Sequence, residues 1–188
     1  MNKKRELEKL AKKIEQCVLC KEHKSGKMVF GEGSPNASIM FVGEAPGKTE
    51  AATGRPFVGR SGKLLRSLIQ QIGLKENEIY ITSPVKYLPD SGTPTKADIM
   101  HAKIHFDKQL AIIDPKIIVL LGSVALQAVL GEKISVMKKH GEMIEKNGRK
   151  YFVTIHPAAG LRFPQLKKEL ESDFLKLQGY LQKEKLLP

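Results

Sequence analysis

Residues 114–122 read DPKIIVLLG, and the apolar run inside them, Lys116 to Leu121, decides the fold. A strand with one face in water alternates polar and apolar side chains. One that is apolar at successive positions must be covered on both faces, which is the situation of a central parallel strand. Ser38 to Val42 reads as a second buried strand and Ile79 to Thr82 as a third. Between them the period changes to that of a helix over Ser61 to Ile72, ended by Gly73, and again over Lys96 to Ile113, while Ser123 caps a shorter helix. Gly43 to Arg60 and Pro84 to Thr95 are rich in turn formers and read as loops for most of their length. Asn147-Gly148 marks a hairpin between Met143–Lys146 and Arg149–Ile155, whose second strand delivers His156 at its end. Leu7, Leu10, Ala11 and Ile14 give an N-terminal helix, and Glu169 to Leu181 closes the chain as another. Alternating strands and helices predict the α/β class: one domain over residues 1–188, a three-layer α/β/α sandwich with a mostly parallel, about four-stranded central sheet.

The chain has 188 residues and a formal net charge of +12. A domain of this size can bury a core without staples, and the charge predicts a polyanionic partner, because every cation that neutralises a phosphate releases a condensed counterion. Nucleic acid leads and an acidic membrane surface trails; a merely solvated, lysine-rich surface is the bland alternative. Nothing approaches the roughly twenty apolar residues of a membrane span, and the N-terminal MNKKRELEKLAKKIEQC lacks a secretory apolar core, so a cytoplasmic, monomeric protein without membrane association is expected. Cys17 and Cys20 form one C-x-x-C, which suggests half a metal site or a redox pair before a structural disulfide.

In open parallel sheets the ligand crevice lies beyond the carboxyl ends of the strands, which here points to the loops beginning at Gly43, Ser83 and His156. The first reads GEAPGKTEAATGRPFVGRSGKLL from Gly43 to Leu65. Its glycines let backbone approach a ligand, and its exposed N–H groups suit an anion, yet it has neither the P-loop nor the dinucleotide spacing. Glu44 and Glu50 stand in this otherwise basic loop, where carboxylates would repel DNA. Chemical use is one reading, and capping of backbone N–H groups is the other.

Beginning at the C-x-x-C, the motifs FVGEAPGKTE with GRPFVGRSG, YITSPVKY followed by PT and a helix, DPKIIVLLG and IHPAAGLRFP occur in that order. From about Cys17 to the C-terminal helix the sequence resembles the iron–sulfur, or family 4, uracil-DNA glycosylases of the uracil-DNA glycosylase superfamily. The resemblance implies a DNA-repair enzyme that flips a uracil, or a related deaminated base, out of DNA and hydrolyses its N-glycosidic bond with water as nucleophile. It places Glu44, Glu50 and His156 in catalysis, and Gly43, Ala45, Phe57 and Ser83 around the base, with Phe57 stacking on it. It implies DNA contacts from Arg60, Lys86, Pro157, Leu161 and Arg162, the segment Pro157 to Leu166 entering the minor groove.

The departures from the family pattern are informative. The family holds a four-iron, four-sulfur cluster with four cysteines, whereas here Cys17 and Cys20 are joined by Tyr87 and Ala102 at the other two positions. An intact cluster is not expected, and His101 and His105 leave open a zinc site with the two cysteines. Ser83 stands where family members commonly carry an asparagine, and one hydroxyl cannot supply an amide's paired donor and acceptor. Ala51 replaces an aspartate. Together these predict an altered or broadened base spectrum, with hypoxanthine and xanthine as further substrates. The rival readings are a relative that binds DNA lesions without cutting, one that crosslinks to its product through a histidine, and a redox or metal sensor built on Cys17 and Cys20.

Overall fold

The computed structural model describes residues 2–131 and 134–187. The strands are β1 (Lys24–Ser25), β2 (Glu32–Gly33), β3 (Ile39–Val42), β4 (Ile79–Thr82), β5 (Leu88–Pro89), β6 (Ile117–Leu121), β7 (Met143–Lys146) and β8 (Arg149–Thr154). The helices are α1 (Lys3–Gln16), α2 (Val18–Lys21), α3 (Lys48–Thr53), α4 (Arg60–Gln71), α5 (Lys96–Ile113), α6 (Gly122–Leu130), α7 (Val136–Lys139), α8 (Pro157–Arg162) and α9 (Pro164–Lys183).

The main sheet runs in the order β2-β4-β3-β6-β8-β7. Its four inner strands, β4, β3, β6 and β8, are parallel, and β2 and β7 close the two edges antiparallel. The strands read from the sequence are therefore the four parallel inner strands and the edge strand β7, and β2 is the one added to the six-stranded sheet. The hairpin forms where it was read: Asn147 and Gly148 both take left-handed backbone (φ 52° and 72°), the geometry that matches a two-residue turn to the twist of its strands. β5, inside a segment read as loop, pairs with β1 into a separate two-stranded ribbon.

Each inner strand divides its side chains between two cores. Ile39, Phe41, Ile79, Ile81, Ile117, Val119 and Phe152 face α4 and α9, which supply Leu65, Ile69, Phe174 and Leu177. Met40, Val42, Tyr80, Ile118, Leu120 and Val153 face α1, α5 and α6, which supply Leu7, Phe106, Leu110 and Leu126. The result is the expected α/β/α sandwich. Helix α5 starts on a capping box in which Thr95 Oγ1 accepts the Asp98 N–H at 3.1 Å and the Asp98 carboxylate accepts the Thr95 N–H at 2.8 Å.

Three boundaries differ from the sequence reading. Ser123 does not cap α6, because the helix begins one residue earlier at Gly122, whose φ of 88° turns the chain out of β6. The loop after β3 contains the short helix α3. The segment from Pro157 to Leu166 is helical for most of its length: α8 and α9 each start at a proline, whose fixed φ and missing donor suit the first helical position, and they meet at extended Phe163.

Phe41 and Phe174 stack at 6.2 Å between ring centroids with planes 12° apart, joining the sheet to α9. Replacing Phe174 by alanine removes a fully buried ring, and we expect a loss of about 3–5 kcal/mol in urea unfolding. Its neighbour Leu175, 66 % exposed, should tolerate alanine within about 0.5 kcal/mol.

Candidate active site

Parallel strands deliver their following residues to the same edge of the sheet. Glu44 follows β3, Ser83 follows β4 and His156 follows β8, and all three line one cavity of about 290 Å³ together with Ala45, Glu50 and Phe57. This is the small end of the roughly 300–1,000 Å³ usual for ligand pockets, and it suits a single heterocycle rather than a whole nucleotide.

The wall that carries Phe57 is built under constraint. Phe57 has a left-handed backbone (φ 51°), uncommon for a bulky residue and costly unless its surroundings enforce it. Arg66 on α4 enforces it by donating to the carbonyls of Phe57 at 3.0 Å and Pro56 at 2.9 Å. Gly62 lets α4 approach, since a Cβ there would lie 2.0 Å from the Phe57 carbonyl carbon. Gly43 does not reach the cavity as a base contact; it makes room for the ring, because a Cβ there would stand 2.4 Å from Phe57 Cζ. Neither Arg66 nor the role of Gly43 carries a local sequence signal, since both follow from a fold in which α4 lies across the loop.

The two glutamates separate. Glu50 Oε1 accepts the backbone N–H groups of Val58 at 2.9 Å and Gly59 at 2.8 Å, so its carboxylate folds the loop back and satisfies donors at the entrance to α4. That is the capping alternative, although Glu50 also borders the cavity. Glu44 has no hydrogen-bond partner among the described residues, lines the cavity, and is held above the ordinary carboxylate range by burial. Ala51 is buried against Gly26, whose added Cβ would lie 2.6 Å from its methyl group, so the small residue is fixed by packing.

His156 caps α8: its Nδ1 accepts the Ala158 N–H at 3.2 Å. An accepting Nδ1 puts the proton of the neutral ring on Nε2, making that nitrogen a donor. Burial pulls the imidazole down to about 4, so the ring is neutral at physiological pH. Its centroid lies 6.1 Å from that of Phe57. Gly122 admits it, since a Cβ there would meet His156 Cβ at 2.8 Å. Two residues upstream, Thr154 Oγ1 donates to the buried Asp173 carboxylate at 2.7 Å, and that carboxylate also bonds His140 Nδ1 at 3.0 Å. The strand that presents His156 is thereby fixed to α9.

Ser83 lines the cavity, but its hydroxyl donates to the Val85 carbonyl at 2.9 Å, leaving the oxygen able only to accept. Lys86 is not a DNA contact: its ammonium is buried among Phe30 O, Thr82 Oγ1, Ser83 O and Gln109 Oε1, all within 3.0 Å, and burial draws it down to about 7. An amine inside a ring of carbonyl and hydroxyl oxygens braces the loop after β4 instead. Pro157 is likewise buried, as the first residue of α8, and is unavailable to DNA. Arg60, Leu161 and Arg162 are exposed along a shallow groove that shares Glu50, Ser61 and Ala158 with the cavity. Phe163, missed in the sequence reading, is 48 % exposed beside them with the Arg162 guanidinium 5.3 Å from its ring centre.

A second cluster lies apart from this cavity. Cys17 and Cys20, around α2, meet His101 and His105 of α5, with candidate ligand atoms all within 4.8 Å of one another. Burial, with Cys17 alongside, pushes the Cys20 thiol up to about 12. Tyr87 packs with Leu10, Ile14 and Cys20, and Ala102 is buried with no atom able to ligate. Two cysteines and these two residues do not fit a four-cysteine iron–sulfur cluster.

The chain belongs to the Uracil DNA glycosylase superfamily, whose profile matches residues 30–177, a span containing Glu44, Ser83 and His156. Within it the chain is 42 % identical over 183 residues to the type-4 uracil-DNA glycosylase of Sulfurisphaera tokodaii, covering 92 % of this chain and 83 % of that protein. It is 35 % identical to the type-4 enzyme of Thermotoga maritima (95 % and 96 % covered) and 38 % identical to that of Archaeoglobus fulgidus (91 % of each).

Two outcomes follow from the geometry. Glu50→Ala strands two backbone donors and should cost about 2–4 kcal/mol of stability, whereas Glu44→Ala, which strands none, should leave the urea midpoint within about 0.5 kcal/mol of wild type or raise it. For His156 the folded ring stays neutral down to about pH 4, while the unfolded ring protonates below its ordinary value near 6.5. Its contribution to stability is therefore intact above about pH 6.5 and lost progressively as pH falls toward 4, and a His156→Gln variant should show less of that decline in paired unfolding curves.

Proposed function

We propose that this chain is a monofunctional DNA glycosylase that removes uracil, and related deaminated bases, from DNA. The observation that carries the reading is the meeting of Glu44, Phe57 and His156 in a base-sized cavity opening onto a groove with Arg60 and Arg162. An extruded base stacks on Phe57, which offsets by about 1–3 kcal/mol the stacking lost in the duplex. As the bond between the sugar C1′ and the base nitrogen lengthens, its electron pair passes to the base and negative charge grows on the base carbonyl. The neutral His156 ring donates from Nε2 to that oxygen, needing no proton from solvent and adding no charge of its own. The Glu44 carboxylate, unpaired among the described residues, faces the cationic sugar and orients the water that attacks C1′. Glu50 holds the loop in place for this.

Water as nucleophile is supported by the cavity lining, which includes no lysine among the described residues. The base spectrum is set at Ser83. With its proton given to Val85, the hydroxyl can accept from a ring N–H but cannot also donate to the neighbouring carbonyl. Discrimination by paired hydrogen bonds is weakened, so uracil and hypoxanthine, which share the N–H beside a carbonyl, should both be processed.

The first test is single-turnover cleavage of end-labelled uracil DNA followed by alkali. His156→Ala should slow it by about 10²–10³-fold, and Glu44→Ala at least as much, with DNA affinity retained. Equal rates in wild type and both variants would remove the assignment. The rate should fall on the acid side as Glu44 protonates above the ordinary carboxylate range, and Glu44→Gln should be slow throughout without that limb. Ser83→Asn should raise the preference for uracil over hypoxanthine; an unchanged ratio would show that Ser83 does not read the base.

A further inference from the structure

The Cys17–Cys20–His101–His105 cluster gathers four candidate ligand atoms within 4.8 Å of one another. The order C-x-x-C followed by H-x₃-H is the spacing of closed structural zinc sites. On α5 the two histidines are four residues apart and so share a face, with ring centroids 5.5 Å apart in an edge-on arrangement. His101 Nε2 lies 3.2 Å from Cys17 Sγ and 3.3 Å from Cys20 Sγ, almost equidistant from the two sulfurs. Neither ring nitrogen of His105 has a hydrogen-bond partner although both are shielded from solvent, an arrangement that is costly for a buried polar group left alone.

The distances choose between metal centres. With Zn–S near 2.3 Å and Zn–N near 2.0–2.1 Å, the edges of a tetrahedron are about 3.3–3.8 Å long, close to the two sulfur–nitrogen separations. A cluster of several irons must sit between its ligands and holds them farther apart. A two-iron centre with thiolates on one iron and imidazoles on the other would separate the sulfurs from the nitrogens, whereas here one nitrogen touches both sulfurs. Two soft thiolates with two imidazoles select zinc over the harder divalent ions.

We infer that Cys17, Cys20, His101 and His105 bind one tetrahedral zinc ion, His101 through Nε2, in the place where the resemblance would put an iron–sulfur cluster. The ion ties the short helix α2 to α5 and is structural, since four protein ligands leave no open position for water. This assignment is independent of the chemistry proposed for the cavity.

The test is elemental analysis and cobalt spectroscopy on the full chain, expressed with zinc and purified without chelator. About one zinc per chain, with neither iron nor acid-labile sulfide, is expected. Cobalt exchanged into the site should give intense tetrahedral visible bands and a thiolate charge-transfer band in the near ultraviolet. His105→Ala and His101→Ala should each weaken zinc retention at least tenfold in competition with a chromophoric chelator, and chelator should lower the Tm of wild type but not of the variants. Should either variant fail to fold, X-ray absorption on wild type decides alone: a shell of two sulfurs and two nitrogens supports the site, and any other shell overturns it. Iron with sulfide, a metal-free chain, a Cys17–Cys20 disulfide, or undiminished zinc in both folded histidine variants would each overturn it.

Discussion

The constraint on which the rest depends is that the four inner strands are buried on both faces for most of their length. Such strands must be covered by helices above and below. The crossovers that supply those helices make the strands parallel, and parallel strands release their chains at one edge. Glu44, Ser83 and His156 are spread along more than a hundred residues of chain and still reach one cavity, because each leaves the carboxyl end of its strand. The site is thus a consequence of core composition before it is a matter of local motif.

Within that cavity, burial sets the charge states in complementary directions. It keeps the imidazole of His156 uncharged and raises the carboxyl of Glu44, each disfavouring its own ionised form. The neighbouring Glu50 is treated differently, since two backbone N–H groups stand against one of its oxygens. Two glutamates six positions apart in one loop therefore have separate tasks, decided by which of them meets backbone donors.

Much of this was legible in the sequence, for physical reasons that differ by element. The limits of α5 were readable because Thr95 and Asp98 form a local cap, and the hairpin because Asn147-Gly148 favours left-handed backbone. The cavity residues Glu44, Ser83 and His156 were readable because strand ends converge, whereas Phe57 was readable only through the family motif. What failed was burial at loop positions. Lys86 looks like any surface cation until the β4 loop folds over it and Gln109 of α5 supplies an acceptor from 23 residues away. Pro157 looked like a loop residue because nothing nearby announces that α8 starts on it. Arg66, Gly122 and Asp173 act through partners fixed only by tertiary packing, so no local pattern marks them. The cluster at Cys17 was half visible: the histidines were noticed by spacing, but the two unpartnered nitrogens of His105 appear only once α5 lies against α2.

The bond pair from Glu50 to Val58 and Gly59 has a consequence for how DNA would be searched. A loop held by its own carboxylate is ordered before any ligand arrives, so its conformational entropy is lost in folding and not at encounter. Engagement then needs no slow rearrangement of protein, and time spent at each undamaged site is governed by how readily its base leaves the stack. Selection between normal and damaged positions would rest on the mechanical softness of the duplex first, and on the contents of the cavity only afterwards.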